Sequence, residues 1–154
     1  VVQTGHTGSI SSIAFNKNGS LLASCSVYDG TVKLWDIETG KELKTQKDLS
    51  SPRFVSFAGD DRKVIIGGYE EIAIWDLYEN KIKKLVEKKS FNFLSFSISP
   101  DKKTLAAGTR NGEVRFWNLE NSQETKSLKV GSAGIVGLSF DKSGRYISSQ
   151  EYQE

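Results

Sequence analysis

Two unrelated markers recur along this chain at one spacing, and that recurrence restricts the fold more than any other property. Trp35, Trp75 and Trp117 stand 40 and 42 residues apart. Each closes a short run of alternating residues: Thr31-Val32-Lys33-Leu34-Trp35-Asp36, Ile72-Ala73-Ile74-Trp75-Asp76-Leu77 and Glu113-Val114-Arg115-Phe116-Trp117-Asn118-Leu119. Independently, Phe15, Phe57, Ile98 and Phe140 each end an apolar stretch, at intervals of 42, 41 and 42. Six residues after each of them another apolar run begins.

Alternation with a period of two is the signature of strands, and no helical period rises above it. Each unit divides into four short strands, a to d. In the first unit they are expected near 10–15, 21–26, 31–37 and 42–46; in the second near 53–57, 63–68, 71–77 and 81–86. In the third they fall near 93–98, 104–108, 113–119 and 125–129. The fourth unit carries only strands a and b, near 135–140 and 146–149. The units run about 5–47, 48–88, 89–130 and 131–154, the last incomplete. Val1 to Thr4 fit the tail of a strand d from a preceding unit. Asp29-Gly30 reads as a two-residue hairpin turn, because such turns need positive φ and glycine supplies it. Pro52 and Pro100 fall near strand ends, where a missing N–H is tolerated. The fold class is all-β, with antiparallel four-stranded sheets as its repeating unit.

Composition narrows the function classes. A formal net charge of +2 over 154 residues does not by itself argue for nucleic acid. The single cysteine, Cys25, excludes an intramolecular disulfide framework and favours a reducing compartment. No apolar run approaches the roughly 20 residues of a membrane helix, and no signal peptide is visible. The chain contains no methionine and so lacks its own start residue, which reads as a piece of something longer.

With these residues in view the chain resembles the WD-repeat family of β-propellers over essentially its whole length. Gly5-His6 stands ahead of strand a and Trp35-Asp36 ends strand c, as the family's two dipeptides do. Leu22-Ala23-Ser24-Cys25-Ser26 followed by Asp29-Gly30-Thr31 also fits the family pattern. Units two and three match less closely. They keep the tryptophan and lack the histidine; Asn118 stands in place of the final aspartate of unit three, and Tyr69-Glu70-Glu71 replaces the turn aspartate of unit two. The resemblance implies blades of four strands, about three complete and part of a fourth, forming an open arc of a propeller. It also implies a hydrogen-bonded chain of Trp35, Ser26 (or Ser24), His6 and Asp29.

Stacked repeats bury their faces against neighbours, so an incomplete set needs more blades, from the same parent chain or another chain. Two copies closing a ring is disfavoured, because each junction blade would lack strand c. Catalysis is not indicated. His6 is the sole histidine and Cys25 the sole cysteine, and a base, nucleophile or metal centre needs company. We expect no enzyme activity, no cofactor, no metal and no catalytic residue. Paired acids such as Asp60-Asp61 and Glu70-Glu71 belong to turns. A propeller hydrolase or lactonase would want channel ligands that the sequence lacks.

The resemblance points to partner binding at the rim formed by the loop before strand a and the b–c turn. Tyr28, Arg53, Leu94, Arg110 and Val136 form the candidate contact set for a protein or peptide, since Tyr and Arg are enriched in hot spots. The expected role is an intracellular scaffold, cytoplasmic or nuclear. The alternative is an RNA-associated propeller of a ribonucleoprotein, using Lys83, Lys84, Lys88 and Lys89. Against it, lysines on an outer strand also serve to guard an exposed edge.

Overall fold

The computed structural model describes residues 5–47, 49–87 and 91–152. They contain fourteen strands in four antiparallel sheets and no helix. Val1 to Thr4, Lys88 and Lys89 lie outside the described residues. The chain divides into two compact units, residues 1–86 and 87–154.

In the first unit β1 (Ser12–Phe15), β2 (Leu21–Ser26), β3 (Thr31–Asp36) and β4 (Glu42–Gln46) form one sheet in chain order. A second follows with β5 (Pro52–Phe57), β6 (Lys63–Gly68), β7 (Glu71–Asp76) and β8 (Lys81–Glu87). Side chains two apart share a face of a strand, which sorts each sheet into two apolar sets. Ala23 sits opposite Leu34 and Cys25 opposite Val32, giving the first sheet a face of small and branched residues. That face packs against Val55, Phe57, Val64, Ile66, Ala73 and Trp75 of the second sheet in one buried core. Burial pushes the Cys25 thiol up to about 12, so it stays a protonated, inert packing group.

The b–c turn departs from the two-residue expectation. Ser26 and Thr31 are the last ladder pair, so Val27-Tyr28-Asp29-Gly30 forms a four-residue loop. Gly30 alone takes positive φ there, +65°, and its N–H donates to the carbonyl of Ser26. The wider loop frees the Asp29 side chain to turn toward His6.

In the second unit β9 (Phe93–Ile98), β10 (Thr104–Thr109), β11 (Glu113–Asn118) and β12 (Gln123–Lys129) form the third sheet. β12 is exposed along its whole length. β13 (Ile135–Phe140) and β14 (Ile147–Glu151) form a two-stranded fourth sheet. The last strand is displaced from expectation: Tyr146 precedes it, exposed, and pairing continues to Glu151. Ala106, Val114, Phe116 and Ile135 form one buried cluster, with Leu138, Phe140 and Ile147 packed against it. Gly112 shows why only glycine suits its turn. Its φ is +80°, and a Cβ would lie 2.3 Å from the Gly131 carbonyl oxygen.

The residue after each tryptophan has one job in all three complete sheets. Asp36 Oδ1 accepts the Thr39 N–H at 2.7 Å, Asp76 Oδ1 the Tyr78 and Glu79 N–H at 2.9 Å, and Asn118 Oδ1 the Glu120 N–H at 2.8 Å. A side-chain oxygen at that position closes the c–d turn, and asparagine offers the same oxygen as aspartate. That is why Asn118 serves in place of an acid.

Candidate functional site

The first sheet carries a connected polar chain. The Trp35 indole N–H donates to Ser24 Oγ at 2.8 Å. Ser24 Oγ lies 2.7 Å from His6 Nε2, and His6 Nδ1 lies 2.9 Å from Asp29 Oδ2. The carboxylate can only accept, so Nδ1 carries the proton that faces it; in the neutral imidazole Nε2 is then the acceptor, and the Ser24 hydroxyl, which accepts from the indole, donates to it. Asp29 is saturated: Thr7 N–H reaches Oδ2 at 3.0 Å, while Thr31 N–H and its hydroxyl reach Oδ1 at 2.9 and 2.7 Å. The arrangement ties the loop before β1, the core of β2 and β3, and the b–c loop into one rigid piece.

The serine of this chain is Ser24, not Ser26. Both point to the same face, but Ser26 stands in the last ladder pair, at the root of the b–c loop. There its Oγ accepts the Asp29 N–H at 3.4 Å. Ser24 stands one step further in, between the Trp35 ring and the imidazole. The four-residue loop sets this register.

Burial alone would raise the Asp29 carboxyl. Hydrogen bonds from the Thr31 hydroxyl, His6 and the N–H groups of Thr31 and Thr7 outweigh it and hold the group at about 2, against 3.8 unperturbed. A depressed carboxyl stabilises the fold above its unfolded pKa and stops doing so as pH falls through the folded one. The shift corresponds to about 2 kcal/mol. We therefore expect the stability gap between the wild type and Asp29→Asn to be constant above pH 5 and to shrink by about 2 kcal/mol between pH 4 and pH 2. Urea melts across that range check it; a gap indifferent to pH would contradict the assignment.

The other sheets solve the same problems with different residues. The buried Trp75 indole donates to Asn80 Oδ1 at 3.1 Å, from the c–d turn rather than from strand b. Glu71, only 1% exposed, accepts the Ser50 N–H on Oε1 at 2.6 Å, as Asp29 does for Thr7. Its other oxygen makes no hydrogen bond and lies 3.4 Å from the Lys84 ammonium. Glu151 holds the Ala133 N–H at 3.2 Å ahead of β13. In the third sheet an aromatic cluster is built at the tryptophan: Phe93 meets Trp117 edge-on at 5.9 Å, and the Arg115 guanidinium lies 4.1 Å from the Phe91 ring. Sequence reasoning placed Glu71 in a turn and passed over Glu151 and Asn80. Glu71 could have been found by counting from Phe57 as Asp29 counts from Phe15, since both intervals are 14.

The candidate contact residues group as follows. Tyr28 is 81% exposed, and its Cβ closes over Gly8, where an added Cβ would lie 2.5 Å away. Arg53 is exposed, its guanidinium 5.4 Å from the Tyr69 ring centroid. Tyr69 was not among the expected contacts. In the second unit Leu94 and Arg110 converge on Gly134, with no room there for a Cβ beside Leu94 Cδ1. Val136 is exposed. Of the lysines, Lys83 and Lys84 are both exposed on β8, and the Lys84 ammonium lies 3.4 Å from Glu71 Oε2. Among the described residues no three of His, Cys, Asp and Glu cluster to hold a metal ion. Nor do the described residues include a helix long and apolar enough to cross a membrane.

Comparison with known proteins adds the family context. The model described as WD domain, G-beta repeat matches residues 1–36 and 81–118. Periodic tryptophan protein 2 of Arabidopsis thaliana is 25% identical over 150 residues, 95% of this chain and 17% of that protein. Target of rapamycin complex subunit wat1 of Schizosaccharomyces pombe is 28% identical, over 81% of this chain and 40% of its own length. The small ribosomal subunit protein RACK1z of Arabidopsis thaliana is 28% identical, over 75% of this chain and 41% of its own. The chain thus spans less than half of each of these relatives. The β-propeller domain of Cps50 (Swd1) from Myceliophteria thermophila superposes with a TM-score of 0.82 at 19% identity, covering 97% of this chain and 51% of that one, a likeness of fold.

Proposed function

Because this chain carries WD repeats folded as β-propeller blades, we propose that it is a non-enzymatic scaffold that binds a protein or peptide partner through the loops at one end of its blades. The observation that carries this reading is the anchoring of those loops. Asp29, Glu71 and Glu151 each hold the loop that precedes a strand a, by accepting the N–H of Thr7, Ser50 and Ala133. Loops fixed this way present their side chains without ordering on binding, which saves roughly 0.5–1.5 kcal/mol per immobilised side chain. Beside the anchors stand Tyr28 and Arg53 in one unit and Arg110, Leu94 and Val136 in the other, aromatic, guanidinium and aliphatic groups suited to a peptide.

The compartment we propose is intracellular, cytoplasmic or nuclear. A single unpaired cysteine supports it, as do relatives named for the small ribosomal subunit and the target of rapamycin complex. The propeller reading brings with it further blades, in the same polypeptide or another.

Arg53→Ala and Arg110→Ala test the contact set. Each is expected to weaken a partner recovered by affinity capture by about tenfold, the loss of one good surface contact, while leaving Tm within ~2 °C. Equal binding by both variants and the wild type would remove these residues from the interface.

A further inference from the structure

Two Asn-Gly pairs stand in turns, Asn18-Gly19 between β1 and β2 and Asn111-Gly112 between β10 and β11. An asparagine followed by glycine is open to reaction with its own backbone, because glycine has no side chain to keep the next peptide nitrogen from the side-chain amide carbon. Both turns have the same local form. Gly19 takes φ +74° and donates its N–H to the Asn16 carbonyl at 3.1 Å; Gly112 takes φ +80° and donates to the Thr109 carbonyl at 3.3 Å.

Their surroundings differ. Lys17 to Ser20 are all exposed, and nothing stands within 4 Å of where a Gly19 Cβ would be. Asn18 Oδ1 accepts the Ser20 N–H at 3.0 Å and the Ser20 hydroxyl at 2.7 Å, donors that stabilise negative charge gathering on that oxygen. Gly112 is buried, and its carbonyl accepts the N–H groups of Val130 and Gly131 at 3.0 and 3.2 Å. The Lys129 ammonium holds the Asn111 carbonyl. The Gly112 turn is clamped where the Gly19 turn is open.

We propose that Asn18 is a site of spontaneous modification, converted by its own backbone to aspartate and isoaspartate, while the fold protects Asn111. The Gly19 nitrogen bonds to Asn18 Cγ, the Cγ–Nδ2 bond breaks, and Nδ2 leaves as ammonia with the proton of the Gly19 N–H. Solvent water then opens the cyclic imide at either carbonyl. Isoaspartate adds a methylene to the backbone of the turn, and both products add a negative charge. The change falls beside Lys17, whose N–H donates to Asp61 Oδ2 at 2.9 Å and ties this turn to the second sheet. None of the partner-binding residues takes part.

Incubation of the chain at mildly alkaline pH, followed by peptide mass mapping and isoaspartate detection, tests this. In the folded chain Asn18 is expected to convert at least about tenfold faster than Asn111, since each extra hydrogen bond that must open at Gly112 lowers the reactive population several-fold. In concentrated guanidinium chloride the two rates should come within about threefold of each other, because both asparagines precede glycine and neither turn is held. Equal rates in the folded chain, a faster Asn111, or an Asn18 that survives in the folded chain while both react in the unfolded one, overturns the proposal. So does a tenfold difference that persists in the denaturant, since the fold would then not be its cause.

Discussion

Trp75→Ala is expected to lower the stability of the first unit by about 3–5 kcal/mol, the range for removing a large aromatic side chain from a packed core. The indole is fully buried and lies in the same core as Phe57, Val64, Ala23 and Leu34, so its loss opens a cavity between two sheets. The Asn80 side-chain oxygen that accepts the indole N–H keeps its bond from Gln46 Nε2 at 3.0 Å, so the loss is chiefly one of packing. Trp75→Phe keeps most of the packing and drops the indole N–H bond, so it should cost about 1–2 kcal/mol. Denaturant melts of both variants check the ordering. Equal losses would mean that the indole N–H, not the ring volume, holds the two sheets together.

Ser24→Ala should cost more than any other serine substitution in this chain, about 2–4 kcal/mol, because it breaks two buried hydrogen bonds at once. The Trp35 N–H would lose its acceptor and His6 Nε2 its donor. Ser26→Ala removes only a 3.4 Å contact with the Asp29 N–H and should cost under about 1 kcal/mol. The pair decides the register by itself: a larger loss at Ser26 would return the hydroxyl to that position. Asp29→Asn belongs to the same chain, so its effect should not add to that of Ser24→Ala.

The sheets were legible because their signal is written several times over. Alternation, turn residues and the recurrence of Phe15 at Phe57 and Phe140 all agree, and each of the fourteen strands overlaps the stretch expected for it. The Ser24 register was not legible, because Ser24 and Ser26 share one face and period two cannot separate them. The length of the b–c loop decides between them, and loop length follows from where pairing stops. The substitutes in the second sheet were hidden for a different reason. Asn80 reaches the Trp75 indole from the c–d turn, five residues after the tryptophan, where the first sheet has Gly40, whereas Glu71 stands where Asp29 does but was hidden in the Glu70-Glu71 pair. A polar group needs a partner, and the chain can supply it from whichever neighbour is nearest in space. The contact residues follow a third pattern: Arg53 was named from its place in strand a, whereas Tyr69, which its guanidinium overlies, becomes visible only once β6 and β7 are folded.

Amide hydrogen exchange read residue by residue by NMR tests the central claim, that the described residues form three four-stranded sheets each ordered a-b-c-d and a fourth of strands a and b. The inner strands should hold the slowest amides, Ala23, Cys25, Val32 and Leu34 in the first sheet, Ile65 and Ile74 in the second, and Ala106 and Phe116 in the third. The outer β12 and the open edge of β14 should exchange fastest among the strands. Protection spread evenly across β11 and β12, or strongest in β14, would contradict the account.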